Sequence, residues 1–118
     1  MTEVQAIAEA YIDTWNASDA AAREALLARH WQGDALYQDP LVAATGRAAI
    51  GALIDGAQAR FPGFRFALSK PASGYGDIAR LSWTLGPDGA EAPIEGSDVL
   101  LISEGRIARV IGFLDRVP

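Results

Sequence analysis

The 118-residue chain has no cysteine, a single histidine and a single methionine. Without cysteine it forms no disulfide, offers no thiol nucleophile and builds no thiolate metal centre. One histidine also excludes a histidine-rich zinc site. Positive charge is scarce: ten Lys and Arg face fifteen Asp and Glu, a formal net charge of −5. The basic residues are scattered, so no stripe exists to neutralise phosphates, and nucleic acid is not an expected partner. No apolar run approaches the roughly 20 residues that span a bilayer. The opening Met1-Thr2-Glu3-Val4-Gln5 has neither the basic nor the apolar region of a signal peptide. The expectation is a soluble, cytoplasmic protein with no membrane partner.

Half of the residues are hydrophobic and 21% are charged, the composition of an ordinary globular domain. The length suits one domain, residues 1–118, with a real core. Thr2 and Gln5 fit a capping box. Behind it Val4, Ile7, Ala8, Tyr11 and Trp15 recur at helical spacing and form one apolar stripe. Asn16-Ala17-Ser18-Asp19 breaks that helix, and Ser18 or Asp19 can cap the next, which runs to about His30 with Leu26, Leu27 and Trp31 as anchors. Asp34 to Tyr37 reads as a short strand stopped at Asp39-Pro40, because proline cannot donate to a ladder. A third helix follows Thr45-Gly46, with Ile50, Leu53, Ile54, Ala57 and Phe61 on one face.

Beyond Phe61-Pro62-Gly63 the pattern changes from helical to alternating. Phe64, Phe66 and Leu68 form one strand; Ala79, Leu81, Trp83 and Leu85 form another. Gly86-Pro87-Asp88-Gly89 marks a turn before a strand around Asp98, and Ser103-Glu104-Gly105 marks the turn into a last strand, Arg106 to about Asp115. Helices followed by grouped strands predict an α+β fold, with an antiparallel sheet carrying helices on one face. Val99 and Leu101 point one way and Leu100 and Ile102 the other. The second face therefore needs cover, which a homodimer interface through the sheet would supply.

No strong local catalytic motif is present, neither a phosphate loop nor a nucleophile elbow. Individual acids and aromatics carry the functional reading. Asp98 shares a strand face with Ile94, Leu100 and Ile102, and a carboxylate on an apolar face needs hydrogen bonds, a partner or a proton. It is either a buried structural acid or a site residue. Asp39, before a proline, is either a turn acid or a general base at a strand end. Tyr11 is either a core tyrosine with a satisfied hydroxyl or an oxyanion donor. Among the aromatics, Trp15, Tyr37, Phe66, Trp83 and Phe113 are candidates to line an apolar ligand cavity. His30 reads as structural at a helix C-terminus. Asp115-Arg116 reads as a surface pair, and Arg47, Arg80, Arg106 and Arg109 as solvated surface residues.

Taken in order, Tyr11-Ile12-Asp13-Thr14-Trp15-Asn16-Ala17-Ser18-Asp19, Tyr37-Gln38-Asp39-Pro40, Gly46-Arg47-Ala48-Ala49-Ile50, Gly96-Ser97-Asp98 and Glu104-Gly105-Arg106-Ile107 resemble the SnoaL-like branch of the nuclear transport factor 2 superfamily. The likeness runs over nearly the whole chain. It implies a cone-shaped α+β fold, three helices against a curved, mostly antiparallel sheet enclosing a pocket. The superfamily includes polyketide cyclases and ketosteroid isomerases as well as non-catalytic binding and association domains, so the fold does not decide the function. By resemblance to the isomerases, Asp39 matches their catalytic base, Tyr11 their first-helix tyrosine and Asp98 their protonated oxyanion-hole aspartate, an arrangement that is itself a worked case of acid–base tuning. By resemblance to the cyclases, Asp98 is instead the acid/base of an aldol closure. The further tyrosines of the isomerase network and the Asp-Arg-Asp set of limonene-type epoxide hydrolases have no match here. The resulting expectation is acid–base chemistry on a small hydrophobic carbonyl compound through Asp39, Asp98 and Tyr11, with no metal and no cofactor. The alternative is a non-catalytic dimeric ligand-binding or association domain.

Overall fold

The structure is a computed structural model and describes residues 3–118. Helix α1 (Glu3–Asn16) buries the stripe formed by Ile7, Ala8, Tyr11 and Trp15. The expected cap at Thr2 lies outside the described residues; the Gln5 side chain accepts a hydrogen bond from the Ala72 amide at 2.8 Å. Asp19 caps α2 (Ala20–His30), accepting from the Ala22 amide at 2.9 Å. Strand β1 (Trp31–Gln38) follows without a loop and starts three residues earlier than the sequence pattern suggests. Trp31 causes this, since its side chain is fully buried against Tyr11, with ring centroids 5.5 Å apart. Its indole N–H reaches the equally buried Thr14 Oγ1 at 3.3 Å, so the polar atom carried inside has a partner.

After β2 (Ala43–Thr45), helix α3 (Arg47–Arg60) places Ile50 and Ile54 in the core. Arg47 does not merely solvate the surface. Its guanidinium donates to the carbonyls of Trp31 at 3.1 Å and Ala28 at 3.2 Å, satisfying groups that the end of α2 leaves without helical partners.

The remaining strands are β3 (Phe64–Leu68), β4 (Ser73–Tyr75), β5 (Ile78–Pro87), β6 (Ile94–Ser103) and β7 (Arg106–Arg116). They build one seven-stranded curved sheet in the order β2-β1-β7-β6-β5-β3, with β4 paired to β5. All pairings are antiparallel except β1 with β7, which is parallel. β2 and β4 were not expected, because three residues are too few to display an alternation. The β6–β7 turn uses Glu104 and Gly105, both left-handed with φ of 52° and 76°, as tight hairpins require. Leu81, Leu100, Ile107 and Val110 fill the sheet face under the helices. Asp115 and Arg116 do not pair with each other: the β6–β7 register shifts between Glu95 and Gly96, Asp115 is the extra residue there, and each side chain takes its own partner on β6. Asp115 accepts from Ser97 Oγ at 3.3 Å, and Arg116 pairs with Glu95 at 3.7 Å. Among the described residues no helix is long and apolar enough to cross a membrane.

Candidate functional site

The sheet order brings Asp39 and Asp98 together from positions 59 residues apart in the numbering. β7 runs between β1 and β6; Gln38 on β1 pairs with Ile111, and Asp98 on β6 pairs with Gly112. Asp39, one residue past the end of β1, therefore reaches Gly112 from one side while Asp98 reaches it from the other. A Cβ built on Gly112 would lie 2.7 Å from Asp98 Oδ1 and 3.2 Å from Asp39 Cβ. The missing side chain is what leaves room for the two acids.

Asp98 is 3% exposed. Its Oδ2 accepts the Tyr11 hydroxyl at 2.7 Å and the Trp83 indole N–H at 3.1 Å. An indole N–H can only donate, so Oδ2 is fixed as an acceptor and the proton of the neutral acid belongs on Oδ1. Burial pushes the acid up to about 6; the bonds from Tyr11 and Trp83 hold it down, and the charges of Asp39 and Asp115 add to the rise. Burial also pushes the Tyr11 hydroxyl well up, with the neighbouring Asp98 charge acting the same way. Tyr11 is thus a neutral donor whose single proton is directed at Asp98.

Asp39 is half-buried and holds three donors. Oδ1 accepts the amides of Leu41 at 2.8 Å and Val42 at 3.0 Å, and Oδ2 accepts the Tyr37 hydroxyl at 2.7 Å. It is both the turn acid that its Asp-Pro context suggests and a neighbour of Asp98. Tyr37 is pushed up by burial and by its bond to Asp39, and it feels the charge of Asp98 as well.

Asp39 and Asp98 share the wall of a cavity of about 770 Å³ with Tyr11, Trp15, Tyr37, Phe66, Trp83, Leu85, Ile94 and Leu114. That volume falls in the range of small-molecule sites. The aromatic rings pack on one another: Trp15 lies 5.6 Å from Tyr37 and 5.3 Å from Phe66, and Phe66 lies 5.3 Å from Trp83. The Trp15 indole N–H is the one buried side-chain donor without a hydrogen-bond partner among the described residues. No metal-holding group of three or more His, Cys, Asp or Glu side chains occurs among them. A mostly apolar cavity with two neighbouring carboxyl groups, one of them titrating at about 6, can bind an apolar molecule and exchange a proton with it.

The SnoaL-like domain family matches residues 8–110. The chain belongs to the SnoaL-like family. Its fold is shared with a protein of Agrobacterium tumefaciens provisionally described as an isomerase of that family, at 38% identity and a TM-score of 0.93, covering 98% of this chain and 99% of the other. A provisional ketosteroid isomerase of Kribbella flavida superposes with a TM-score of 0.73 at 22% identity, covering 98% and 80%. A provisional polyketide cyclase of Sinorhizobium meliloti gives 0.72 at 21% identity, covering 90% and 92%. These last two likenesses show the nuclear transport factor 2-like fold and nothing finer. No functionally curated protein matches the chain.

Of the residues singled out in this SnoaL-like sequence, Tyr11, Trp15, Tyr37, Asp39, Phe66, Trp83 and Asp98 all meet at the cavity. Phe113 does not; it lies on the opposite sheet face and is 52% exposed. A bulge is the cause. Between Leu101 and Ile102 the β6–β7 register shifts, so Leu101 faces Arg109 but Ile102 faces Ile107, and Ala108 is the extra residue. Buried Ile107 and exposed Phe113 then have the same sequence parity but opposite directions, and Leu114 takes the place in the wall. The packing roles of two glycines escaped the sequence reading, although Gly96 stands in the Gly96-Ser97-Asp98 run quoted there. Gly112 is one. The other is Gly96, which pairs with Trp83: a Cβ there would meet the indole Cζ2 at 2.1 Å. The indole lies flat on Gly96, which lets its N–H reach along the strand to Asp98.

Proposed function

We propose that the cavity binds a small hydrophobic carbonyl compound and that Asp39 and Asp98 perform cofactor-independent acid–base chemistry on it, of the isomerase, cyclase or lyase type. The observation that carries this reading is Asp98: a buried acid in the cavity wall, with Oδ2 held by Tyr11 and Trp83 and Oδ1 beside Asp39. In this mechanism the substrate carbonyl oxygen accepts a hydrogen bond from protonated Asp98 Oδ1. Asp39 takes the proton from the adjacent carbon as electrons move onto the carbonyl oxygen, and Asp98 stabilises the enolate that forms. Returning the proton to a different carbon completes an isomerisation; attack of the enolate on a second carbonyl, whose oxygen then takes the proton from Asp39, completes a ring closure. Tyr11 spends its proton on Asp98 and is a positioning residue, acting through that acid rather than on the substrate.

The bonds from the Leu41 and Val42 amides to Asp39 favour a second reading. In it Asp39 is only a turn acid, and the domain binds ligand without turning it over. The two separate by following exchange of the α-protons of β-tetralone into heavy water by proton NMR. The catalytic reading expects exchange above the buffer rate that Asp39→Asn abolishes. Binding without added exchange supports the second reading.

The outer sheet face carries Leu36, 43% exposed, and Phe113, 52% exposed, beside half-buried Val99, Leu101 and Ile111. We propose that this apolar face is covered by a second copy of the chain, in a homodimer.

A further inference from the structure

Arg60 closes α3 and stands in the cavity wall beside Phe61, its guanidinium carbon 5.8 Å from the ring centroid. It is the one cationic side chain of that wall among the described residues; the other charged side chains there are Asp39 and Asp98. Among the described residues the ion pairs are Arg23–Asp55 and Arg116–Glu95, and Arg60 takes part in neither. A basic residue in the last turn offsets the helix dipole. Arg60 is exposed and Phe61 follows it directly in the chain, so the ring contact is local; what sets Arg60 apart from the other basic residues is its place in the cavity wall. Arg60 ends helix α3, whereas Asp98 stands on β6 and Asp39 just past β1, so the cation and the acid pair come to the wall from different layers of the fold.

We propose that Arg60 selects ligands carrying an anionic group, so that the compound bound here is an amphipathic organic anion with its carbonyl toward Asp98 and its carboxylate-type group at Arg60. A free guanidinium presents parallel N–H donors to such a group, and ring contact with Phe61 holds the cation where the ligand arrives. Between the two ends the apolar body rests on Trp15, Phe66 and Leu85. The acids repel an anion from their own end, so the charge pattern also fixes which way round the ligand lies. This inference rests on the reading of the cavity as a carbonyl-compound site and adds the second functional group.

The test compares two fluorophores of one aromatic framework, anilinonaphthalenesulfonate and the uncharged phenylnaphthylamine, each titrated into the full chain. The anion is expected to bind about fivefold tighter, the size of a partly exposed charge pair. That advantage shrinks at high salt while the neutral probe is unmoved. Arg60→Gln removes it without weakening the neutral probe, and Arg60→Lys keeps most of it. A role confined to the helix end would lower the melting temperature of Arg60→Gln and leave the ratio of affinities unchanged, which overturns the inference. Equal binding of both probes to the wild-type chain overturns it as well, leaving the cavity reading intact. Failure of both probes to bind overturns the cavity reading and this inference together.

Discussion

Asp98 Oδ1 stands where the side chain of Gly112 would begin: a Cβ on Gly112 would come within 2.7 Å of that oxygen. The contact is shorter than real Cβ atoms tolerate, and it involves a short, doubly anchored side chain that cannot swing away. Gly112→Ala must therefore displace Asp98, Asp39 or the β7 backbone. The expected cost is about 1–3 kcal/mol, the range of core overpacking, together with loss of probe binding in the cavity. Urea denaturation and a fluorescence titration measure the two. Gly56→Ala is the contrast, because a Cβ there meets nothing within 4 Å in the middle of α3. Helix propensity predicts a gain of up to about 1 kcal/mol.

Stability should fall as pH rises through the titration of Asp98. Its folded value, about 6, lies above the ordinary 3.8, so the native chain binds this proton more tightly than the unfolded chain. The contribution is fully present below about pH 4, declines between 4 and 6, and is gone above the folded value; two units correspond to about 3 kcal/mol. Asp98→Asn removes the titration while an amide oxygen still accepts from Tyr11 and Trp83. The variant is expected to match the wild type near pH 4 and to exceed it at pH 7, read from denaturation midpoints across that interval. The same substitution separates two roles in function. An amide can replace a neutral donor at Oδ1 but cannot act as acid or base. Retained carbonyl-probe affinity that no longer depends on pH supports the donor role; abolished turnover supports the acid/base role.

Trp83→Phe should raise the Asp98 pKa above 6 by about one unit, because the N–H bond that favours the charged carboxylate is lost. Tyr11→Phe should act in the same direction through the other bond to Oδ2. Gly96→Ala reaches the same end without touching a polar atom, by pushing the indole off the strand. Carboxyl-carbon NMR of Asp98 reads all three. An unchanged value in Trp83→Phe would show that the indole packs beside the acid without bonding to it.

The legible part of this fold is the part written in periodicity. The α1 stripe, the alternation of β3, β5 and β6, and the isolated acid at Asp98 follow from which side chains share a face, and that is fixed by local spacing. What could not be seen depends on register between strands. Gly112 matters only because Asp98 is its cross-strand partner, and Gly96 only because Trp83 is. The Ala108 bulge changes no hydropathy pattern, yet it reverses the side chains from Arg109 to Leu114 and sends Phe113 to the outer face. Arg47 looked like surface charge because the carbonyls it binds, Ala28 and Trp31, are brought to it by the α2–β1 junction. The convergence of Asp39 and Asp98 became visible through resemblance, since the parallel β1–β7 pairing that causes it leaves no local mark.

Phe113→Glu should dissociate the proposed homodimer. The residue sits on β7 opposite Ser97, with Leu36 on the neighbouring strand β1, and points away from the helices. A carboxylate there is comfortable in a monomer, where the position is half exposed, but is buried against its own copy across a two-fold axis. Each dimer carries the change twice, so the penalty is doubled while the isolated fold is barely affected. Sedimentation of the wild type is expected to give twice the chain mass of 12.5 kDa at micromolar concentration, and the variant the single mass with an unchanged melting profile of the monomer. Because the cavity opens on the other side of the sheet, the variant should still bind the neutral probe. A wild type that sediments at the single mass would leave the outer face without a second copy, and its apolar side chains in solvent.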